Sequence, residues 1–316
     1  MGDSIQDAAD YRWPAPAKLN LFLHVTGRRP DGYHTLETIF QFLDLADDIT
    51  LRVRSDGRIR RTTELSDVPP EGDLVVRAAR VLKSQTATPL GVDIAVVKRI
   101  PMGGGLGGGS SDAATTLIGL NHIWELGLDV EALARIGLSL GADVPVFVRG
   151  QAGFATGVGE QLTPIALEEP WYIVLYPGCS VATKEVFDAP DLTREASPIK
   201  IHSLSGDTVE GRPLSLSSLF SQTRNDCEQV VRTRYPRVDA ALQWLAAFGV
   251  TRMTGTGSCI FAPFRRLEEA ERVLLALSDA IEGKGRVDAN GWSAFIARGR
   301  NRSPLFHERV ELFWHD

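Results

Sequence analysis

One stretch of the sequence decides the fold: Pro101-Met102-Gly103-Gly104-Gly105-Leu106-Gly107-Gly108-Gly109-Ser110-Ser111-Asp112. Six of the nine residues from Gly103 to Ser111 are glycine. The β-branched run before it, residues 92–98, predicts a strand, and the apolar residues at helical spacing from residue 112 onward predict a helix. Glycines between a strand and a helix N-terminus leave backbone N–H groups free to bind an anion. The stretch therefore predicts a phosphate-binding loop.

Known glycine motifs match this stretch only in part. Gly103, Gly105 and Gly108 have the spacing of the dinucleotide-binding fingerprint, which also needs an acidic residue on a strand about 20 positions further on. Glu125 and Asp129 lie near that distance, but at the end of a predicted helix. The Walker motif needs a lysine directly after the glycines, and none follows. A flexible linker is the remaining alternative, although linkers do not normally join a strong strand to a strong helix.

Composition limits the class of protein. The chain has 316 residues, 43% of them hydrophobic, and a net charge of −6. This size predicts one large or two ordinary domains, and the acidic balance disfavours a general nucleic-acid binder. Three widely spaced cysteines form neither a disulfide framework nor a metal-binding cluster, which favours a reducing compartment. With a polar N-terminus and no long apolar run, we expect a cytoplasmic protein without nucleic-acid or membrane partners.

Residues 17–25 alternate between apolar and other side chains and predict a strand. Lys18 and Asn20 share one face of it, which is either a solvated outer face or two polar groups directed to one place. After a Pro-Asp-Gly turn, Tyr33 and His34 lie at a loop-to-strand junction, where binding residues are common. A histidine with a purely structural role is the alternative for His34.

The other predicted elements follow from periodicity and from breaker residues. Strands are predicted over residues 35–42, 49–53, 144–148, 171–176 and 292–297, with a turn at Asp47-Asp48. Helices are predicted over residues 73–83, 129–140, 225–248 (with a break near Pro236) and 267–281. Residues 188–222 are predicted to form a polar connector or a mobile flap.

Asp143 lies at a corner between the predicted helix 129–140 and the predicted strand 144–148. A local capping or turn role is the alternative for this aspartate. Further on, residues 150–159 are rich in glycine and predict a boundary between two domains, 1–155 and 156–316.

Three stretches together resemble the ordered motifs of the GHMP small-molecule kinases: residues 16–21, 101–114 and 254–258. Arg-Pro-Asp-Gly-Tyr-His-Thr (29–35) and Gly-Ala-Asp-Val-Pro-Val-Phe (141–147) are similar to one branch of that family. That branch phosphorylates the 2-hydroxyl of a methylerythritol that carries a cytidine diphosphate, in the non-mevalonate route to isoprenoid precursors. The resemblance spans roughly residues 14–300. It implies an α+β fold of two domains, with the active site in the cleft between them.

The resemblance also implies ATP and Mg²⁺ as cofactors and assigns site residues. Asp143 would accept the proton of the substrate hydroxyl, and Lys18 would stabilise charge. The implied ATP-binding residues are Pro101, Met102, Gly103, Gly104, Gly105, Leu106, Gly107, Gly108, Gly109, Ser110, Ser111 and Lys98. The implied substrate-binding residues are Asn20, Tyr33, His34, Thr183, Phe187, Gly255, Thr256 and Gly257. Tyr33 and Phe187 would flank the cytosine, and His34 would bind its edge.

Some assignments stay open at this point. Ser110 or Ser111 would meet a phosphate or Mg²⁺, and no metal ligand is assigned beyond that. A solvated lysine at a strand end is the alternative for Lys98. Asp73 stands where the family often has asparagine near the adenine, and an ionised carboxylate cannot donate a hydrogen bond. We therefore expect no direct contact between this side chain and the adenine amine.

Two other functions compete with this interpretation. One is a GHMP kinase for homoserine, mevalonate or a sugar, which Tyr33-His34 and residues 141–145 disfavour. The other is a nucleotide-binding protein without catalysis, which the presence of both Lys18 and Asp143 disfavours.

Overall fold

Two long strands near the start of the chain form the centre of the fold. The computed structural model describes residues 9–65, 68–199, 212–282 and 289–306. In it, β1 spans Tyr11–Arg28 and β2 spans His34–Arg54, and the two pair antiparallel along most of their length. The register of this pairing shifts between Pro16 and Lys18 and again between Asn20 and Leu23.

The remaining strands extend this sheet. They are β3 (Ile59–Arg61), β4 (Gly91–Val97), β5 (Gly153–Thr156), β6 (Gln161–Pro164), β7 (Trp171–Tyr176), β8 (Arg252–Met253), β9 (Ile260–Phe264) and β10 (Ser293–Arg300). Within the described residues the sheet order is β3-β4-β2-β10-β7-β9-β8, with β1 and β5 also on β2 and with β6 on β5. The β3–β4 pair is parallel and the other named pairs are antiparallel.

Helices pack against this sheet, and the mixture confirms the predicted α+β class. They are α1 (Leu74–Thr86), α2 (Gly108–Ile123), α3 (Val130–Leu138), α4 (Val144–Arg149), α5 (Thr183–Phe187), α6 (Leu216–Gln222), α7 (Glu228–Arg234), α8 (Pro236–Ala246) and α9 (Leu267–Ile281). Single 3₁₀ turns lie at Pro70–Gly72 and Pro304–Phe306. Among the described residues, none of the helices has the length and apolar character that crossing a membrane requires.

Apolar side chains form three buried groups. The first lies between α1–α4 and the strands β1, β2 and β4, and the second lies around β7, β9 and α7–α9. The third surrounds the middle of β1 and includes residues of β7 and β9. Leu19 and Leu21 are fully buried there, and each such side chain contributes about 1.5–3 kcal/mol to stability.

The middle of β1 is buried on both faces. Lys18 and Asn20 are each 3% exposed, and Phe22 and His24 on the same face are also buried. The solvated-face alternative for this strand is therefore wrong. Leu19, Leu21 and Phe22 lie in the third apolar group, whereas Leu23 and Val25, after the register shift, lie in the second.

The predicted turn at Asp47-Asp48 is wrong, because β2 runs through both residues. The Asp47 side chain is fully buried and accepts hydrogen bonds from the backbone N–H groups of Arg99 and Ile100, at 2.5 and 2.8 Å. Two adjacent aspartates are typical of a turn, but here tertiary partners satisfy the buried carboxylate inside a strand.

The predicted strand at residues 144–148 is also wrong, because these residues form α4. A short apolar run does not distinguish a buried strand from a buried helix. Pro145 lies in the first turn of α4, where its missing N–H would have no helical partner in any case.

Most other predicted elements are confirmed within one to three residues at their ends. Asp73 is the N-cap of α1 rather than its first helical residue, and the helical stretch after residue 225 breaks at Pro236 as predicted. In the predicted connector 188–222, residues 216–222 form α6, whereas residues 200–211 lie outside the described residues. The division at residues 155/156 stays a prediction.

Residues 299–306 return to the strands and helices at the start of the fold. Gly299 pairs with Leu43 of β2. The Ser303 N–H donates to the Gly150 carbonyl at 2.9 Å. Leu305 and Phe306 are buried in the first apolar group, together with side chains of α1–α4. The end of the described chain therefore completes the core that its first 150 residues begin.

The Asp73 carboxylate has two structural partners, so its removal should destabilise the fold. It accepts from the Val75 N–H at 3.1 Å and from Arg61 Nη1 at 2.7 Å, and the Arg61 side chain is only 4% exposed. Asp73→Ala should lower the free energy of unfolding by about 3–5 kcal/mol, because it leaves a buried cation unpaired. Urea unfolding would measure the change.

Asp129→Ala is the matched control, since Asp129 is exposed and caps α3 through one bond of 2.7 Å to the Ala132 N–H. That variant should lower the free energy of unfolding by about 1 kcal/mol. Equal losses in the two variants would show that the pairing of Asp73 with Arg61 adds nothing to the cap.

Candidate active site

Lys18 and Asn20 meet beside the glycine loop. The Lys18 ammonium donates to Asn20 Oδ1 at 2.5 Å and to the Gly105 carbonyl at 3.2 Å. Asn20 Nδ2 donates in turn to Thr38 Oγ1 at 3.0 Å. The Lys18 Nζ also lies 5.3 Å from the centre of the Phe40 ring. These contacts favour the interpretation in which the two side chains are directed to one place.

Asp143 forms an ion pair with Lys18, with Oδ2 3.2 Å from Nζ. Asp143 precedes α4 in the N-cap position, but its side chain makes no capping hydrogen bond. The capping alternative is therefore wrong. The Lys18 side chain is 4% exposed and that of Asp143 is 34% exposed. The ammonium is covered while the carboxylate keeps an open side toward which a ligand can approach.

The glycine loop between β4 and α2 lies directly against Lys18. Gly105 and Gly107 have φ values of 77° and 74°. A Cβ atom on Gly105 would lie 2.4 Å from the Thr254 carbonyl oxygen, and one on Gly107 would lie 3.0 Å from Lys18 Cε. Both positions therefore require glycine. Because α2 begins at Gly108 with no side-chain cap, its first N–H groups are available to an anion.

A second glycine turn, residues 254–258, reaches the same place from far along the chain. Thr254 Oγ1 accepts from the Asn20 N–H at 2.9 Å and donates to the Gly105 carbonyl at 3.4 Å. One hydroxyl thereby links β1, the glycine loop and the second glycine turn.

Lys98, Asp47 and Asp112 form a buried ion-pair network that we call the loop anchor. The Lys98 ammonium binds the Asp47 carboxylate, and it binds Asp112 Oδ2 at 2.6 Å. The Lys98 side chain is 16% exposed, so the solvated-lysine alternative is wrong. Its contact with ATP stays a prediction, since two carboxylates already surround its charge.

Electrostatics differ among the members of the loop anchor. Burial raises the pKa of Asp112 to about 7, and the charge of Asp47 adds to this rise while Lys98 opposes it. Asp112 Oδ1 is buried without a hydrogen-bond partner, which also disfavours the ionised form. Burial acts to lower the pKa of Lys98, but the charges of Asp112 and Asp47 outweigh it and raise that pKa.

His34, Phe187 and Arg194 form a separate group at the start of β2. The His34 and Phe187 rings stack, with centroids 5.0 Å apart and planes at 18°. Arg194 Nε donates to His34 Nε2 at 3.2 Å. Burial lowers the pKa of His34, and the charges of Arg194 and Arg28 lower it further. His34 is therefore a neutral, hydrogen-bonded imidazole near pH 7.

The helix α5 connects this group to the second glycine turn. Thr183 begins α5, and its hydroxyl shares a hydrogen bond of 2.9 Å with the Thr256 hydroxyl, while Phe187 ends the same helix. Tyr33 lies in the turn between β1 and β2 with 64% of its surface exposed. The structure thus brings most of the predicted substrate residues into two linked groups and leaves the Tyr33 ring in solvent.

Several residues that hold the site were not predicted. They are Thr38 and Thr254 at Asn20, Asn225 at the second glycine turn, Asp47 in the loop anchor, and Arg194 at His34. Asn225 Nδ2 donates to the carbonyls of Met253 and Gly255, both at 2.8 Å. Only Thr254 had a signal in the sequence, because it precedes the Gly-Thr-Gly motif directly.

Comparison with known proteins identifies the family. The model of the GHMP kinases N terminal domain matches residues 73–151, and that of the GHMP kinases C terminal domain matches residues 207–283. A crystal structure of 4-(cytidine 5'-diphospho)-2C-methyl-D-erythritol kinase superposes with a TM-score of 0.72 at 31% identity, covering 92% of this chain and 99% of that one. The predicted GHMP kinase fold is confirmed.

Two bacterial relatives are similar over nearly their whole length, and both are named 4-diphosphocytidyl-2-C-methyl-D-erythritol kinase. The protein of Pseudomonas savastanoi pv. phaseolicola (strain 1448A / Race 6) is 50% identical over 299 residues, covering 95% of each chain. The protein of Halorhodospira halophila (strain DSM 244 / SL1) is 53% identical over 296 residues, covering 93% of this chain and 94% of the relative.

The raised pKa of Asp112 predicts a pH-dependent stability. The folded chain holds this proton more tightly than the unfolded chain, so the stabilisation is complete below about pH 4 and is lost as the pH rises through about 7. Asp112→Asn cannot titrate and should lack this loss, which we expect to be about 2–4 kcal/mol between pH 5 and 8.

Urea unfolding of both proteins at several pH values would give the difference curve, in which the other titrating groups cancel. A difference that does not change with pH would show that the Asp112 pKa is not raised.

Proposed function

We infer the reaction of this chain from the family to which it belongs: it is a GHMP kinase and, within that superfamily, one of the 4-diphosphocytidyl-2-C-methyl-D-erythritol kinases. The proposed reaction transfers the γ-phosphoryl group of ATP to the 2-hydroxyl of 4-diphosphocytidyl-2-C-methyl-D-erythritol, giving the 2-phosphate and ADP. This is a step of the non-mevalonate route to isoprenoid precursors. The observation that carries the proposal is the Lys18–Asp143 ion pair, which lies beside the glycine loop with its carboxylate partly exposed.

Asp143 is the proposed acceptor of the hydroxyl proton. Its carboxylate is partly exposed, makes no capping bond and is held 3.2 Å from the Lys18 ammonium. Phosphoryl transfer depends on positioning and charge stabilisation more than on a strong base, because its transition state is loose. An oriented carboxylate is sufficient for this role.

Lys18 is the proposed charge stabiliser. Its ammonium is fixed by Asn20 Oδ1, by the Gly105 carbonyl and by Asp143, so it does not reorganise during the reaction. From this position it stays paired with the Asp143 carboxylate and offsets charge that develops on the reacting oxygens. Asn20 is the proposed contact for the erythritol hydroxyls, from the same face of β1.

The glycine loop is the proposed site of the ATP phosphates. The N-terminus of α2 supplies unpaired N–H groups and the positive end of the helix dipole. Since the Gly105 carbonyl accepts a hydrogen bond from Lys18, the proposed phosphate site lies directly beside the proposed catalytic pair. Residues 254–258 are the proposed cover over the substrate and the phosphates.

Mg²⁺ fits this site through oxygen donors. Ser110 is half-buried in the first turn of α2, whereas Ser111 is fully buried, so the Ser110 hydroxyl is the one that a phosphate or an ion can reach. Mg²⁺ in kinases is held largely by nucleotide phosphates and water, with few protein ligands. When bound, it neutralises phosphate charge.

The proposed cytosine pocket is formed by His34, Phe187 and Tyr33. Aromatic rings stack on a base with about 0.5–1.5 kcal/mol per pair, and a buried polar group that pairs with the base edge rejects other bases. The Tyr33 ring is exposed, so a bound base can reach it from solvent.

Assays with ATP and a panel of alcohols test the substrate. We expect turnover of the cytidyl substrate and none of mevalonate, homoserine or galactose. Turnover of mevalonate without turnover of the cytidyl substrate would overturn the proposal, and ATP binding without any transfer would favour a silent nucleotide-binding protein.

Asp143→Asn should lower kcat by about 10²–10⁴-fold, because the amide cannot accept the proton in the transition state. The KM values for both substrates should change little, since this proton transfer is not part of ground-state binding. Steady-state kinetics would measure both.

Asp129→Asn serves as the control. Asp129 is an exposed carboxylate at the start of α3, and its side chain bonds the Ala132 N–H rather than Lys18. Undiminished turnover in Asp143→Asn would remove Asp143 from the base role.

A further inference from the structure

We propose that Arg194 is a positioning residue of the cytosine pocket, which fixes the tautomer of His34 and holds the loop after Phe187 against the His34 ring. The proposal rests on the proposed function, because the ligand of this pocket is taken to be the cytosine of the substrate. Arg194 lies in the stretch 188–222, which the sequence predicts only as a polar connector or a mobile flap.

The guanidinium of Arg194 makes four hydrogen bonds in two directions. Nε donates to His34 Nε2 at 3.2 Å, while Nη2 donates to the carbonyls of Phe187 and Ala189 at 2.9 and 2.6 Å. Nη1 donates to the Leu192 carbonyl at 3.2 Å. Guanidinium N–H groups have a fixed planar geometry, so these bonds set the loop and the imidazole in one relative position.

The bond from Arg194 determines where His34 carries its proton. His34 Nε2 accepts a hydrogen bond, so in the neutral ring the proton lies on Nδ1. Burial and the charges of Arg194 and Arg28 lower the pKa of His34 and so disfavour a second proton on the ring. The charge of Asp188 acts in the opposite direction but is the weakest of these effects. The imidazole therefore offers one donor, Nδ1–H, and no free acceptor.

A single donor is suited to one class of base edge. Cytosine presents two adjacent acceptors, its ring N3 and its carbonyl oxygen, whereas uracil carries a proton on N3. A donor fixed in the pocket therefore favours cytosine. With uracil, the Nδ1–H of His34 and the N3–H of the base would face each other without an acceptor, which is costly in a buried site. Arg194 thereby contributes to the choice of base without touching it.

The stretch that carries Arg194 is attached to the sheet independently of the guanidinium. The Ala196 N–H donates to the Val25 carbonyl at 3.0 Å, and the Ile199 N–H donates to Glu37 Oε2 at 2.8 Å. Replacement of the arginine therefore leaves these attachments in place, and a folded variant is expected.

Kinetics of Arg194→Met test the role in binding. We expect the KM for the cytidyl substrate to rise about tenfold to a hundredfold, the range that corresponds to the loss of one hydrogen bond in a buried site. The KM for ATP and kcat should stay nearly unchanged. Arg194→Lys should not restore the wild-type KM, because an ammonium lacks the planar arrangement of donors.

Arg234→Met is the matched control. Arg234 contacts Asp191 Oδ1 of the same stretch at 2.9 Å and the Glu185 carbonyl of α5 at 3.2 Å, and both contacts are exposed. It makes no hydrogen bond to His34, so its KM values should equal those of the wild type. A rise in KM equal to that of Arg194→Met would overturn the proposal in favour of a general effect on the stretch.

Imidazole ¹⁵N NMR of the full chain tests the tautomer without reference to activity. In the wild type we expect His34 to carry its proton on Nδ1 and to have a pKa below the ordinary value. In Arg194→Met the pKa should rise, because the charge of Arg194 is gone while the burial remains, and the fixed tautomer should be lost. A wild-type ring protonated on Nε2, or an unchanged ring in the variant, would overturn the proposal. Failure of the wild type to phosphorylate the cytidyl substrate would instead overturn the proposed function, which distinguishes the two.

Discussion

The loop anchor is the interaction on which the rest of the site depends. A loop with six glycines in nine residues has little conformational preference and loses much entropy when it is ordered. Asp47 fixes the chain before the loop through two backbone N–H groups, and Asp112 belongs to the first turns of the helix after it. Because Lys98 joins the two carboxylates, one buried cation holds both ends of the loop. The N–H groups are thereby oriented before any phosphate binds.

The two tasks of the site rest on different elements. The Lys18–Asp143 pair is placed by β1 and by the turn before α4, and Thr254 joins it to the glycine loop. The stacked pair of His34 and Phe187 is placed by the start of β2 and the end of α5. The proposed catalytic pair and the proposed cytosine pocket therefore rest on separate elements, and the hydroxyl contact between Thr183 of α5 and Thr256 links the two groups.

Local patterns predicted the parts of this site that local physics determines. The glycine loop between a strand and a helix follows from backbone freedom, which acts over a few residues. The errors at Asp47 and at α4 arose where a distant partner decided the outcome, through two N–H groups for the buried aspartate and through burial for the apolar run. Arg194 could not be predicted, because its bond to His34 joins positions 160 residues apart, and no periodicity marks such a pair.

The return of residues 299–306 to β2 and to the first apolar group has a consequence for the order of events during folding. Strand β10 pairs with Leu43, and Phe306 packs over Gly150, so the early strands and helices lack a neighbour until the ribosome has released nearly all the described chain. Contacts between such remote positions slow folding, and the incomplete sheet edge is open to aggregation in the meantime. The apolar group between α1–α4 and the early strands is therefore complete only once residues 299–306 have been made and can pack against it.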